Sequence, residues 1–264
     1  MNKDCFPIII VAALYAEIQG LISHLKRVSS WLWEGEYAGW GLRVIKTGVG
    51  RKMLQKNLSR ALLETHTSLV INIGWAGALQ PHLEVGSIVA ARQIYDLSGE
   101  VSGLGDAGGI SANAGGILSN EGGASGDVGG LGPQPCLTLA DSPLLGVLST
   151  LDSVSFGTFL TVDYMADTEK KHSLHQRYPQ ALALDMESFH VVELCHRQKV
   201  PALILRAILD PLSLRLPARW GRDKGSEDNT DSYKRLYGLA QQATWANLQA
   251  LDWYLNRLHK IYPQ

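Results

Sequence analysis

The chain begins with an apolar, β-branched run over residues 6–13, the pattern of a strand buried on both faces. Over residues 17–28 the apolar positions move to Ile18, Leu21, Ile22 and Leu25, one face of a helix. Residues 31–46 alternate aromatic and polar side chains around Glu34-Gly35-Glu36 and Ala38-Gly39-Trp40, which predicts hairpin strands. Thr47-Gly48-Val49-Gly50 breaks that pattern, and residues 51–64 return to helical spacing through Met53, Leu54, Leu58, Leu62 and Leu63. A second fully apolar strand covers residues 68–74 and runs into a small-residue turn, Gly74-Trp75-Ala76-Gly77. Further strands are expected at 85–91, 156–162, 181–184 and 201–208, and helices at 187–199 and 231–259.

Buried strands alternating with helices indicate one α/β domain over residues 1–264, built on a mixed, mostly parallel sheet. Residues 98–133 stand apart. They hold about half of the 27 glycines and almost no large apolar side chains, so they bury too little to offset their ordering entropy. This stretch reads as a flexible insertion, with a mobile lid as the alternative. A phosphate cradle fits poorly, since no Gly-Lys-Ser/Thr ending follows a strand there.

Composition narrows the function. A net charge of −1 gives no electrostatic case for nucleic acid or a membrane surface. Cys5, Cys136 and Cys195 are odd in number and lack metal-ligand spacing, which fits free thiols in a reducing compartment, with Cys195 as small buried packing. The run at 7–16 is too short for a membrane span and ends on Glu17, so a cytoplasmic protein is expected.

Three acids follow apolar strands: Glu17, Glu187 and Asp210. Each alone reads as a helix cap or dipole partner. Three at the ends of strands of one sheet can converge on a crevice, where such sheets gather their chemistry. No His or Cys cluster accompanies them, so neither metal nor organic cofactor is expected. His172 and His175 read as part of an exposed polar helix.

Gly48-Val49-Gly50, the Ile71–Gly77 block, Val85-Gly86-Ser87-Ile88-Val89, Leu184-Asp185-Met186-Glu187-Ser188 and Arg206-Ala207-Ile208-Leu209-Asp210 occur in this order. Together they resemble the nucleoside phosphorylase/nucleosidase superfamily, and within it the methylthioadenosine/S-adenosylhomocysteine nucleosidase type. The resemblance spans nearly the whole chain outside the glycine-rich stretch. It implies a three-layer α/β/α fold, a small-molecule purine nucleoside as substrate, and a homo-oligomer, with a dimer as the simplest. Asp210 matches the acid that protonates the departing base. Glu187 matches the carboxylate on the ribose hydroxyls, with Met186 against the sugar, and Glu17 matches the base that activates water. Met165 aligns with a base-stacking aromatic, Ala166 with the residue whose backbone meets the base edge, and Arg206 with a buttress of the site.

Two departures bear on the acceptor. Phosphorylases of the superfamily carry arginine near the position of Glu17, and a carboxylate there repels phosphate. Trp75, in Trp75-Ala76-Gly77, replaces the usual serine and removes a hydroxyl that holds phosphate or water. Both favour hydrolysis; phosphorolysis, or nucleoside binding without turnover, are the alternatives. Asp210-Pro211, Leu216-Pro217 and Val162-Asp163 are similar to the hopanoid-associated branch, for which Trp31, Trp33, Trp40 and Trp75 offer apolar surface to a lipid-like 5′ group. Methylthioadenosine, adenosylhomocysteine, futalosine and adenosylhopane all remain open as substrates.

Overall fold

The computed structural model describes residues 8–98, 136–138, 143–214 and 230–262. Along the chain the elements are β1 (Ile8–Ala12), α1 (Tyr15–Ile22), β2 (Lys26–Arg27), β3 (Leu32–Tyr37), β4 (Trp40–Lys46), α2 (Arg51–Glu64), β5 (Leu69–Ala78) and β6 (Ile88–Asp96). There follow β7 (Cys136–Thr138), α3 (Pro143–Leu148), β8 (Val154–Thr161), α4 (Thr168–Arg177), β9 (Ala181–Asp185), α5 (Ser188–Arg197), β10 (Ala202–Asp210) and α6 (Thr230–Ile261). Residues 99–133 of the glycine-rich stretch, with Leu216, Pro217 and Cys5, lie outside the described residues.

Every residue of β1 is buried, as its unbroken apolar run requires. The β3–β4 hairpin turns on Ala38 and Gly39, both with positive φ (51° and 80°), the pattern of a tight two-residue turn whose twist suits the flanking strands. Three expected boundaries move. Helix α1 stops at Ile22, because residues 26–27 leave it to pair with β3. The strand expected at 85–91 begins at Ile88 and continues to Asp96. Most consequentially, Gly74–Gly77 is no turn: β5 runs straight through it to Ala78, since small residues also suit a strand crowded on both edges.

The ten strands form one mixed sheet, as expected, and part of it closes on itself. β5 pairs with β10 in parallel along one edge, from Val70 to Gly77. On its other edge it pairs in parallel with β1 over Leu69 to Asn72, then antiparallel with β9 at Gly77 and Ala78. β10, β6, β8, β9 and β5 thereby make a ring. Between its two partners on that second edge, β5 passes Ile73 to Ala76 with no strand beside it. This gap is the feature on which the site is built.

Helices cover both sides. α1 and α3 pack with α6, and α2 packs with α5, while α5 and α6 each rest on β5 and β10. The main core fills the space between them, and a smaller cluster, including Leu160, Val162, Leu174 and Tyr178, lies beneath α4. No helix among the described residues is long and apolar enough to cross a membrane.

Candidate active site

Glu17 fills the gap in β5. It occupies the third position of α1, and its Oε2 accepts the backbone N–H of Leu14 at 2.8 Å, closing the helix start. Its Oε1 accepts the N–H of Trp75 at 3.0 Å, a strand donor that has no ladder partner on that edge. The capping and the site readings of Glu17 are therefore both satisfied by one side chain. Gly74 makes the approach possible, since a Cβ there would sit 2.6 Å from Glu17 Oε1 and 3.0 Å from Arg206 Nη1. Burial pushes the Glu17 carboxyl above its ordinary range, against the pull of these N–H groups and of the Arg206 guanidinium.

Arg206 is buried rather than at the surface. It is 2% exposed and donates through Nε to Asp185 Oδ2 at 2.8 Å and through Nη2 to Asn72 Oδ1 at 2.5 Å. Asn72 in turn donates to the carbonyl of Val11, so the network ties β1, β5, β9 and β10 together where the strands part. Asp185 also accepts from Thr161 Oγ1 at 3.1 Å, from the Ser188 N–H at 3.1 Å and from the Ser188 hydroxyl. A buried cation and a buried anion matched this closely hold each other's charge in place.

Glu187 precedes α5 and is 8% exposed. Burial first, then the neighbouring Asp185 and Glu17 carboxylates, raise its carboxyl to about 7, against the pull of Arg206 and of the Gly50 N–H at the start of α2. Glu17 and Glu187 thus feel one another directly.

Asp210 ends β10. Its Oδ1 accepts from Lys171 Nζ at 2.7 Å, and its Oδ2 lies 3.6 Å from where a Cβ on Gly77 would be. Burial raises its carboxyl, and the Lys171 ammonium draws it back. Gly77 is three residues beyond Gly74 on β5, a rise of roughly 10 Å. Glu17 therefore meets β5 at Gly74, with Arg206 opposite that residue on β10, and Asp210 lies opposite Gly77.

Gly50, Arg51, Ser98, Val162, Asp163, Met186 and His190 line a cleft of about 320 Å³. Ser98, the first residue of the glycine-rich stretch, thus stands at its wall. Met186 is part of that lining. Ala166 is buried beneath α4 and Met165 is 51% exposed, so Met165 is not core packing. The Trp75 indole Nε1 donates to Thr244 Oγ1 on α6 at 3.0 Å while its backbone N–H meets Glu17, and Ala76 is buried beside it. The other tryptophans do not gather into a 5′-group pocket. Trp33 and Trp40 are core, Trp40 donating to the carbonyl of Leu255, and Trp31 packs under Arg60.

The sequence reading missed Lys171, Asp185 and Asn72. The segment read as an exposed polar helix does expose His172, yet it buries Lys171 completely. Its one clue was spacing, since Lys171 shares the inward face with Leu174 three residues on. Cys195 is buried packing, its thiol raised to about 12. Among the described residues no group of three or more His, Cys, Asp or Glu is placed to hold a metal ion.

A sequence model of the Phosphorylase superfamily matches residues 7–244. A 5′-methylthioadenosine/S-adenosylhomocysteine nucleosidase of Baumannia cicadellinicola is 25% identical over 213 residues, covering 76% of this chain and 84% of the relative. Its namesake in Tolumonas auensis is 27% identical over 187 residues, 67% of this chain and 72% of the relative. Among solved structures, the S-adenosylhomocysteine nucleosidase of Streptococcus pyogenes in complex with 5-methylthiotubericidin superposes with a TM-score of 0.69 at 19% identity, covering 98% of this chain and 99% of that one. The Neisseria meningitidis 5′-methylthioadenosine/S-adenosylhomocysteine nucleosidase in complex with methylthio-immucillin-A gives 0.67 at 19% identity, covering 94% and 98%. At such identity these likenesses speak for the fold.

Proposed function

Because the chain belongs to the phosphorylase superfamily, we propose that it hydrolyses the N-glycosidic bond of a 5′-substituted adenosine and releases adenine. The observation that supports the reading is a set of three buried carboxylates along β5: Glu17 on the Trp75 N–H, Glu187 within electrostatic reach of Glu17, and Asp210 at the end of β10 opposite Gly77.

Cleavage leaves positive charge on the ribosyl group and negative charge on the departing base. Glu187, ionised, accepts hydrogen bonds from the ribose hydroxyls and stabilises the sugar cation, with Met186 packed against the sugar. Asp210, whose carboxyl burial raises, acts as the acid and gives its proton to N7 as the bond electrons pass to the base. Glu17 takes the proton of the water that attacks C1′. Its raised carboxyl makes it a stronger base than an exposed glutamate, and its two backbone donors hold it in position. Ala166 and Met165 supply the base pocket.

Hydrolysis is favoured over phosphorolysis by the local charge. Arg206 is spent on Asp185 and Asn72, and Arg51 stands at the mouth, 3.8 Å from Glu193. A phosphate at C1′ would face Glu17 instead. Val49, Met53 and Met165 leave apolar surface beside the cleft, which supports a homodimer seated there. A cytoplasmic setting accords with the free thiol of Cys195.

The test is release of adenine from 5′-methylthioadenosine and S-adenosylhomocysteine, with and without phosphate, in wild type and Asp210→Asn. Phosphate-independent release, lost by at least 100-fold in the variant, is expected. A sugar phosphate formed only when phosphate is present would overturn the hydrolase assignment.

A further inference from the structure

Lys171 is the largest polar feature of the site without a role in the chemistry above. It comes from α4, the one described helix with a fully buried lysine, and is 0% exposed. Its ammonium donates to Asp210 Oδ1 at 2.7 Å, to the Pro211 carbonyl at 2.6 Å and to the Leu214 carbonyl at 3.2 Å. All three donors are therefore used, two of them on the turn that follows β10 and one on the carboxylate that ends it. A lysine buried this completely carries a large desolvation cost, offset here by three hydrogen-bond acceptors, one of them a carboxyl that becomes an anion when its proton leaves. A neutral side chain would pack there more cheaply, so a specific task accounts for the charge better than stability does.

We propose that Lys171 is the positioning residue for departure of the base: it clamps Oδ1 of Asp210, leaves Oδ2 as the atom that meets N7, and offsets the carboxylate formed when the proton leaves. The proposal rests on the hydrolase reading. The step balances. As the C1′–N9 electron pair moves onto the base, the proton on Asp210 Oδ2 passes to N7 and Asp210 becomes an anion beside the Lys171 cation. Water adds to C1′ and its proton goes to Glu17, so one carboxyl loses a proton and another gains one. Lys171 keeps all of its protons. Without it, the carboxylate would be left in a buried site with no matching charge, and Asp210 would be a poorer acid.

The charged groups around Asp210 are few among the described residues. Lys171 faces it from α4, where His175 lies one turn further along and His172 turns to solvent, bonded to the Thr168 carbonyl. On the neighbouring strands, Asp185 and Arg206 are paired with each other, and the Glu17 and Glu187 carboxylates interact with that pair. Burial raises the Asp210 carboxyl, and Lys171 is the charged group that draws it back.

The experiment compares wild type, Lys171→Met and Lys171→Arg by the pH profile of kcat/KM for adenine release from 5′-methylthioadenosine, alongside a ¹³C titration of the Asp210 carboxyl. In Lys171→Met the alkaline limb is expected to move up by at least one pH unit and kcat to fall about 100-fold, while Lys171→Arg keeps the limb within about half a unit. A limb that stays put in Lys171→Met, whatever the loss of rate, would mean a merely structural lysine and overturn the proposal. Should wild type release no adenine, the hydrolase reading fails on that arm alone. The ¹³C titration still decides the hold of Lys171 on Asp210: a raised titration point in folded Lys171→Met supports it, and an unchanged one sinks it. If Lys171→Met does not fold, Lys171→Gln takes its place with the same two readings.

Discussion

At the residue scale, Glu187 shows how catalysis and stability pull apart. Its carboxyl titrates near 7 in the fold against 4.5 outside it, because burial and two neighbouring carboxylates penalise the anion. A group raised in this way contributes stability fully below its unfolded value and loses that contribution as pH climbs through the folded one. At pH 8 the ionised Glu187 therefore burdens the fold. Glu187→Gln is expected to stabilise the fold at pH 8 by on the order of 1–3 kcal/mol, and by less at pH 5. Calorimetry at the two pH values checks this; an equal shift at both would remove the electrostatic account. The same variant should lose turnover by orders of magnitude, and wild-type kcat/KM should fall as pH drops through about 7, where Glu187 takes up its proton.

At the level of elements, β5 organises the site by what it lacks. A strand with partners at both ends of one edge and none between must have its exposed backbone groups met by side chains, and Glu17 answers that need while standing where water would be activated. Asn72 does the corresponding work at the start of the gap, holding the Val11 carbonyl with its amide nitrogen and Arg206 with its oxygen. Asn72→Ala is expected to cost roughly 2–4 kcal/mol, since it orphans a buried carbonyl and one arm of a buried guanidinium. Chemical denaturation measures that cost. If instead stability falls by less than about 0.5 kcal/mol, the strands are not held together through Arg206. Helix α4 plays the matching part on the far side, where its polar surface carries Lys171 inward to the end of β10.

For the whole molecule, the closure of β5, β10, β6, β8 and β9 into a ring sets Asp185 of β9 and Asp210 of β10 on strands that both pair with β5, the strand Glu17 meets at Trp75. Val49, Met53 and Met165 are each about half-exposed. Light scattering should give twice the chain mass of 28.8 kDa, and Met53→Glu should shift it toward the monomer. A monomeric wild type at micromolar concentration would end the dimer reading.

Much of this was legible from residue order. Period-two and period-3.6 patterns located most of the strands and helices, and the acids Glu17, Glu187 and Asp210 stood out because each follows an apolar run where a charge is unexpected. Arg206 was marked only by resemblance, because a single arginine in a strand pattern carries no sign of its partner. Tertiary structure alone decided that Gly74 to Gly77 continues a strand, that Trp75 turns its indole away toward α6, and that Lys171 belongs to Asp210. The reason is physical. Periodicity records which face of an element is buried, a local property of the chain. Which donor meets which acceptor across a closed sheet depends on strand register and ring closure, and those are fixed only when distant segments pack.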